Sequence, residues 1–124
     1  MECPKCGNSM KTVRFQTFAV EQCSKCGGLW FDMLEAEHLK KLHGSASIDT
    51  GDVETGKLQN KIENINCPVC STKMIKMVVN NQPHIWYESC PTCFGTYFDA
   101  GEFTDFTKQT LIDIVKDILA KERK

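Results

Sequence analysis

The chain has 124 residues, eight cysteines and a formal net charge of −1, a length that suits one ordinary domain or two very small ones. Nucleic-acid affinity rests on cationic contacts with phosphates, so this charge argues against a basic footprint over the whole chain. No apolar run approaches the ~18 residues of a membrane span and the N-terminal residues do not resemble a signal peptide, so we expect a cytoplasmic protein with reduced thiols and no membrane contact.

An internal repeat organises the chain from its first residues. Cys-x-x-Cys pairs open and close each unit, and an aromatic pair followed by aspartate comes just after the second pair. Sixteen residues separate the pairs in the first unit and nineteen in the second, so the second unit has the longer connection. The repeated segments are Cys3-Pro4-Lys5-Cys6 with Cys67-Pro68-Val69-Cys70, Cys23-Ser24-Lys25-Cys26 with Cys90-Pro91-Thr92-Cys93, and Trp30-Phe31-Asp32 with Tyr97-Phe98-Asp99.

The connections between the cysteine pairs have the pattern of β-hairpins. Residues 12–15 and 18–22 suit two strands in the first unit, and residues 73–79 and 84–89 suit longer strands in the second. A hairpin brings its two Cys-x-x-Cys turns together, and four sulfurs can then surround a zinc ion at ~2.3 Å. We predict two zinc ions per chain as cofactors, with the ligands Cys3, Cys6, Cys23, Cys26, Cys67, Cys70, Cys90 and Cys93.

Three other uses of the cysteines compete with zinc. Four disulfides would suit an oxidising compartment, which the rest of the sequence does not indicate. A redox-active dithiol is expected near a βαβ pattern, which the sequence lacks. Iron also suits four thiolates, and the choice between the two metals stays open at this stage, with zinc preferred because nothing indicates electron transfer.

A helix is predicted after each hairpin. Asp32-x-x-Glu35 and Asp99-x-x-Glu102 match the capping box that starts a helix, and we prefer this interpretation to a catalytic pair of carboxylates. The helices would span residues 33–42 and 100–121. The far end of the second helix carries an apolar stripe that we expect to self-associate or to cover a ribbon face. The stripe consists of Leu111, Ile114, Val115, Ile118 and Leu119.

Large side chains near the cysteines have two competing interpretations. We expect Trp30, Phe31, Tyr97 and Phe98 to form a small core in each unit, and Trp86-Tyr87 to be the better candidate for stacking on bases. Each Cys-x-x-Cys turn, or knuckle, of the first unit is followed by a glycine, Gly7 or Gly27. The second unit has Ser71 and Phe94 at these positions. The second site is therefore either strained or built on another backbone path. We expect His38, His43 and His84 to be surface residues rather than ligands.

The predicted fold class is a small metal-stabilised α+β fold. It contains two Cys₄ zinc ribbons, each a β-hairpin plus a following helix, with a longer C-terminal helix. The predicted divisions are residues 1–43 for ribbon one, 44–65 for a flexible or weakly helical linker, and 66–124 for ribbon two. A unit of about 40 residues buries too little apolar surface to fold without such a metal staple.

Both units resemble the TFIIB-like transcription-factor zinc-finger family of small zinc ribbons. The resemblance rests on the Cys-Pro-x-Cys knuckle, the second cysteine pair and the aromatic segment that ends in Asp32 or Asp99. Phe94 at a glycine position and Leu34 in place of the helix-start glycine, Gly101, depart from the family pattern. The resemblance implies a tandem zinc ribbon in a prokaryotic-type cytoplasmic protein, with a role related to transcription.

These features favour a non-catalytic zinc-binding module for protein interaction, an adaptor. The alternative is a nucleic-acid-binding zinc ribbon, although no segment of the sequence forms a basic stripe. An enzyme is not expected, because four protein ligands fill each metal site and catalytic zinc keeps an open position. We expect a protein partner and self-association through the C-terminal helix.

Overall fold

The computed structural model describes residues 1–79 and 82–108, and the side chains of residues 82–84 are not among the described groups. Within these residues the first ribbon contributes strands β1 Met10–Phe15, β2 Phe18–Cys23 and β3 Leu29–Phe31, and the second contributes β4 Ile75–Val79, β5 Gln82–Ser89 and β6 Thr96–Phe98. The helices are α1 Glu35–Leu39, a 3-10 turn at Ser45–Ile48, α2 Val53–Gln59, and α3, which is helical over residues 102–108.

The six strands form one antiparallel sheet in the order β1-β2-β3-β6-β5-β4. Strands β3 and β6 join the two ribbons, and Trp30 lies opposite Tyr97 at the centre of the joint. Leu29 pairs with Phe98 and Phe31 with Thr96. This register relates the two repeats by an approximate two-fold axis that passes between Trp30 and Tyr97. The two ribbons therefore share one sheet, a feature that the sequence repeat alone does not specify.

The two faces of the sheet bury different clusters. Because successive side chains of a strand point to opposite faces, Phe31 and Phe98 face the helices while Trp30 and Tyr97 face the cysteines. Phe103 and Phe106 of α3 pack on Phe31 and Phe98 with ring centroids 4.8 to 5.9 Å apart. The predicted small metal-stabilised α+β fold is confirmed, with its apolar core on the helical face.

The helix after the first ribbon is shorter than predicted. It begins at Glu35, because Leu34 adopts a left-handed backbone with φ 66° and ends the preceding turn. The segment predicted as linker carries the 3-10 turn and α2. It packs closely on Ala100, because an added Cβ would lie 2.7 Å from the Ala100 Cβ at Gly51 and 2.0 Å from the Ala100 carbonyl oxygen at Gly56. The predicted C-terminal stripe over residues 111–119 lies outside the described residues.

The predicted capping boxes are wrong in their main feature, the aspartate cap. At α1 the Glu35 carboxylate accepts from the Asp32 backbone N–H at 2.9 Å, but no side chain caps the helix. At α3 the Asp99 carboxylate is buried in an ion pair with a lysine of ribbon one. Asp49, from the predicted linker, accepts instead from the N–H groups of Gly101 and Thr104 at 2.9 to 3.1 Å.

No helix within residues 1–79 and 82–108 combines the length and apolar character that crossing a membrane requires. The six-stranded sheet has helices on one face and the cysteines on the other.

Candidate metal centres

The first cysteine cluster lies where the start of the chain meets the end of β2. Its four sulfurs lie within 4.8 Å of one another, with Cys3 and Cys26 sulfurs 3.7 Å apart and Cys6 and Cys23 sulfurs 3.3 Å apart. Each Cys-x-x-Cys turn closes by a backbone bond, from Gly7 N to Cys3 O at 2.9 Å and from Gly27 N to Cys23 O at 3.2 Å. Both turns thus point their sulfurs into one space.

The second cluster repeats this arrangement. Its four sulfurs also lie within 4.8 Å of one another, with Cys67 and Cys93 sulfurs 3.7 Å apart and Cys70 and Cys90 sulfurs 3.2 Å apart. The backbone N–H groups of Val69 and Cys70 donate to the Cys67 sulfur at 3.4 and 3.5 Å. Backbone donors of this kind stabilise thiolates, the form of cysteine that binds metal.

The geometry of both clusters fits a tetrahedral zinc ion. Four sulfurs at ~2.3 Å from a central zinc ion are about 3.8 Å from one another, close to the longer sulfur–sulfur distances of 3.7 Å. All eight cysteines are free thiols, so the alternative of four disulfides, weighed above against zinc, does not hold. With the family match given below, the prediction of two zinc ions is confirmed, and each ion would be held as a closed Cys₄ structural site.

Neighbouring thiols oppose one another's ionisation when no cation lies between them. The hydrogen bond with Cys26, ahead of an opposing effect of burial, lowers the pKa of Cys3 to about 4. The same contact, together with burial, raises the pKa of Cys26 far above its ordinary value. The Cys26 thiol thus keeps its proton and donates to the Cys3 thiolate, and a divalent cation is what allows all four sulfurs to be thiolates together.

The second site uses the same backbone path as the first. Gly7 and Gly27 both have φ 76°, and the equivalent Ser71 and Phe94 have φ 62° and 61°. The structure therefore decides between the two sequence-based alternatives in favour of strain, since a residue with a Cβ pays about 1–2 kcal/mol in the left-handed region.

The aromatic side chains next to the knuckles are exchanged between the ribbons. Trp30 covers Gly95 of ribbon two, where an added Cβ would lie 2.3 Å from the Trp30 ring. Tyr97 covers Gly28 of ribbon one, where an added Cβ would lie 1.8 Å from the Tyr97 hydroxyl. The sequence correctly indicated that these aromatics are buried, but the core they form spans both units rather than belonging to each one.

Tyr97 reaches the first metal site itself. Its hydroxyl lies 3.2 Å from the Cys3 sulfur and 3.4 Å from the Cys26 sulfur. The sequence repeat did not indicate this contact, because Tyr97 belongs to the other unit. The repeated glycine ahead of each aromatic segment was the one signal that something large must pack there.

A buried ion-pair cluster joins the first knuckle to the second ribbon. Lys5 Nζ lies 2.7 Å from both Glu88 Oε1 and Asp99 Oδ2, and it donates to the Gln59 carbonyl at 3.0 Å. Burial raises the pKa of Glu88 and of Asp99, and the Lys5 ammonium opposes that rise. Nothing in the repeated segment Cys3-Pro4-Lys5-Cys6 distinguishes this buried lysine from an ordinary exposed one.

The other predicted candidates lie away from the cysteines. His38 and His43 are exposed, and His84 is one of the residues whose side chain is not described. Tyr87 stacks on Phe98 with ring centroids 5.1 Å apart, which ties it to the core. Trp86 is half-buried beneath the Lys76 ammonium at 5.6 Å, so one member of the Trp86-Tyr87 pair remains partly accessible.

Comparison with known proteins supports the zinc-ribbon architecture. Residues 2–42 match the family model described as transcription factor zinc-finger. The match covers the first cysteine cluster, and the second cluster is built in the same way. No curated protein and no solved structure matches the chain.

Proposed function

Since this chain is a tandem zinc ribbon whose first unit matches the transcription factor zinc-finger family, we propose that it is a non-catalytic interaction module that docks a protein partner. The family description makes a component of transcription the first partner to test. The observation that carries the proposal is an exposed apolar patch beside the second metal centre, formed by Leu34, Ile75, Met77 and Phe94.

Two residues of the patch occupy positions that glycine holds in the other repeat. Leu34 is equivalent to Gly101 and Phe94 to Gly27. Both side chains are more than half exposed, at 56% and 57%, and both have a left-handed backbone, with φ 66° and 61°. Strain of this kind persists at sites of function, and neither burial nor backbone geometry explains why a large apolar residue stands there.

A small pocket lies between these two side chains. Tyr87 and Phe98 contribute to its wall, and its volume is about 100 Å³. Small-molecule sites commonly occupy ~300–1,000 Å³, so this pocket suits a single side chain of a protein rather than a metabolite. Ile75 and Met77 extend the apolar surface along the edge strand β4, because they pair with Ser89 and Tyr87 on the same face.

The charges beside the patch indicate the chemistry of the partner. Glu37 lines the pocket and pairs with Lys40 at 2.6 Å, whereas Asp32, which is exposed, and Glu35, which is half-buried, precede it in the chain without a described ion pair. Complementary charge gives an interface its specificity and speeds association. We therefore propose a partner segment that inserts an apolar side chain and carries lysine or arginine beside it.

Nucleic-acid binding is the alternative, and the charges of the described residues give it less support. Lys5 is buried in its ion pairs with Glu88 and Asp99. Lys40 and Lys57 lie 2.6 and 3.4 Å from glutamates on their own helices. These three lysines are partly neutralised, whereas phosphate binding needs free cations. Other cations of the described residues are exposed, among them Lys11, Lys25 and Lys61, but they are scattered along the chain and form no basic stripe.

A catalytic role also lacks support. Each cluster would give zinc four protein ligands, and a catalytic zinc keeps a position for water or substrate. The free state of all eight cysteines suits the reducing cytoplasm, where thiols persist, and the proposal places the module there.

The test is affinity capture from a lysate of the source cells with the zinc-loaded full chain, with and without nuclease. The informative variant replaces Leu34 and Phe94 together by the glycine of the sister repeat. This change removes the exposed side chains and also relieves backbone strain, so we expect the fold to be retained or stabilised while capture falls at least tenfold. Leu58→Ala is the matched control, because Leu58 is 65% exposed on α2, outside the patch.

Three outcomes separate the candidates. The proposal is supported if captured proteins remain bound after nuclease treatment, and if the double glycine variant fails to capture them while the control variant still does. Capture that disappears after nuclease would favour nucleic-acid binding. Proteins captured equally by the double glycine variant would show that the patch is not the docking site.

A further inference from the structure

We propose that Tyr97 of the second ribbon is a positioning residue for the first zinc site, with its hydroxyl donating to the Cys3 and Cys26 sulfurs. The distances of 3.2 and 3.4 Å suit one hydroxyl proton shared between two sulfur acceptors. The two ribbons would thereby be coupled through the metal as well as through the sheet.

Among the residues that the structure describes, the Cys3 and Cys26 sulfurs are the hydrogen-bond partners of the hydroxyl. Tyr97 is fully buried, with a relative exposure of 0%, and a buried tyrosine hydroxyl usually finds a hydrogen-bond partner. A phenol hydroxyl carries a proton at neutral pH, and a metal-bound thiolate is an acceptor to which it can donate.

Gly28 shows that the approach of Tyr97 is part of the fold. An added Cβ at this glycine would lie 1.8 Å from the Tyr97 hydroxyl and 2.3 Å from the adjacent ring carbon. The knuckle of the first site thus has no side chain at the one point where the tyrosine enters. Strand pairing across β3 and β6 holds Tyr97 opposite Trp30, which directs the ring toward the first cluster.

The second site has a different neighbour at the equivalent position. Trp30 covers Gly95 there, but its indole N–H donates to Asp32 Oδ1 at 3.3 Å. The hydroxyl contact consequently distinguishes the first site from the second. Outer hydrogen bonds to metal ligands commonly change metal affinity by about 10–100-fold, so the first site should retain its metal more firmly because of Tyr97.

The experiment uses full-length protein in which both sites are loaded with ¹¹³Cd. Cadmium reports each site as a separate resonance, which correlation to cysteine β protons assigns. In Tyr97→Phe we expect the resonance of the first site to shift and that of the second to stay. Chelator competition on the zinc-loaded protein should remove metal from the first site about tenfold faster, with the second site unchanged.

Tyr87→Phe is the control, because it also removes a tyrosine hydroxyl. Tyr87 packs against the other core cluster, where it stacks on Phe98. A Tyr97→Phe protein with both resonances and both release rates unchanged would overturn the proposal. Equal acceleration at both sites with a lower melting temperature would also overturn it, because that result means a general loss of packing.

Discussion

At the scale of single residues, backbone strain distinguishes the knuckles of the second ribbon from those of the first. Ser71 repeats the hydrogen bond of Gly7, from its N–H to the Cys67 carbonyl at 2.9 Å, but it does so with a Cβ at φ 62°. The strain therefore belongs to the metal-binding conformation and is relieved when the knuckle opens. For this reason we expect the second site to release zinc before the first.

Ser71→Gly should slow the release of zinc from the second site to a chelator. Relief of left-handed strain is worth about 1 kcal/mol, partly offset by the greater freedom of glycine in the unfolded chain. Gly7→Ser is the reciprocal control, since a Cβ at Gly7 meets no atom within 4 Å and adds strain without a clash. Release from the second site that is unchanged in Ser71→Gly would contradict the strain argument.

Glu102 links stability to pH. Burial raises its pKa from 4.5 to about 7, while its Oε2 accepts from the Trp86 N–H at 3.3 Å. Between these two pH values the folded chain holds more protons than the unfolded chain, so this group's contribution to the free energy of unfolding falls as pH rises. Above pH 7 the charge of this half-buried side chain is fully present, and its cost to stability is largest.

Glu102→Gln should accordingly be more stable than the parent above pH 7 and should show a shallower fall in stability as pH rises toward that value. Glutamine keeps the oxygen that accepts from Trp86 but cannot ionise. Urea unfolding of the zinc-loaded proteins at a series of pH values measures the difference. Parallel stability curves for the two proteins would show that Glu102 keeps an ordinary pKa.

At the scale of elements, α3 depends on a cap from a distant part of the chain. The Asp49 carboxylate accepts from the backbone N–H of Gly101 and of Thr104, and from the Thr104 hydroxyl at 3.0 Å. Phe103 and Phe106, which this helix buries against the sheet, are thereby held in position. The segment between the ribbons thus contributes to the fold of the second ribbon.

Asp49→Ala should lower the free energy of unfolding by about 0.5–2 kcal/mol, the usual cost of a lost helix cap. Asp49→Asn is the control, because its amide oxygen can still accept from the helix N-terminus. Urea unfolding compares the variants. If alanine and asparagine are equally stable, the capping bonds do not stabilise α3 in solution.

At the scale of the whole molecule, Lys5 ties the first knuckle to β5 and β6 through Glu88 and Asp99. Lys5→Met should cost about 3–5 kcal/mol, because it leaves two buried carboxylates without the ammonium group that contacts both of them. Both carboxylates have a raised pKa, so the loss should shrink as pH falls and they become protonated. Thermal unfolding of the zinc-loaded variant at several pH values measures this.

Lys25→Met is the control for Lys5→Met, since Lys25 is the exposed residue at the same place in the neighbouring knuckle. Adding Glu88→Gln and Asp99→Asn to Lys5→Met should recover much of the lost stability. Failure of that rescue at every pH would mean that Lys5 acts through packing alone.

The C-terminal stripe remains a prediction from sequence, because residues 109–124 lie outside the described residues. Five apolar side chains at helical spacing form a large surface if they are left in water. Truncation after Thr110 should therefore lower either the oligomeric state or the melting temperature. Light scattering and thermal melting decide this, and a truncated protein unchanged in both would instead favour a partner-binding role for the stripe.

The sequence by itself determined the local features of this protein. Cys-x-x-Cys spacing fixes sulfurs on one turn, and strand alternation predicts the hairpins that bring the turns together. These features join residues close in sequence or repeat within each unit, so the cysteine clusters, the zinc chemistry and the burial of Trp30 and Tyr97 followed from the pattern.

Only the tertiary structure decided how the two units share these features. The pairing of β3 with β6, the Asp49 cap on α3 and the Lys5 ion pairs all join residues of different segments, separated by 52 to 94 positions in the hydrogen bonds concerned. No local propensity encodes such contacts, because each partner alone looks like an ordinary polar or aromatic residue. Packing brings Tyr97 of one ribbon to the sulfurs of the other, and the function of that hydroxyl exists only in the assembled sheet.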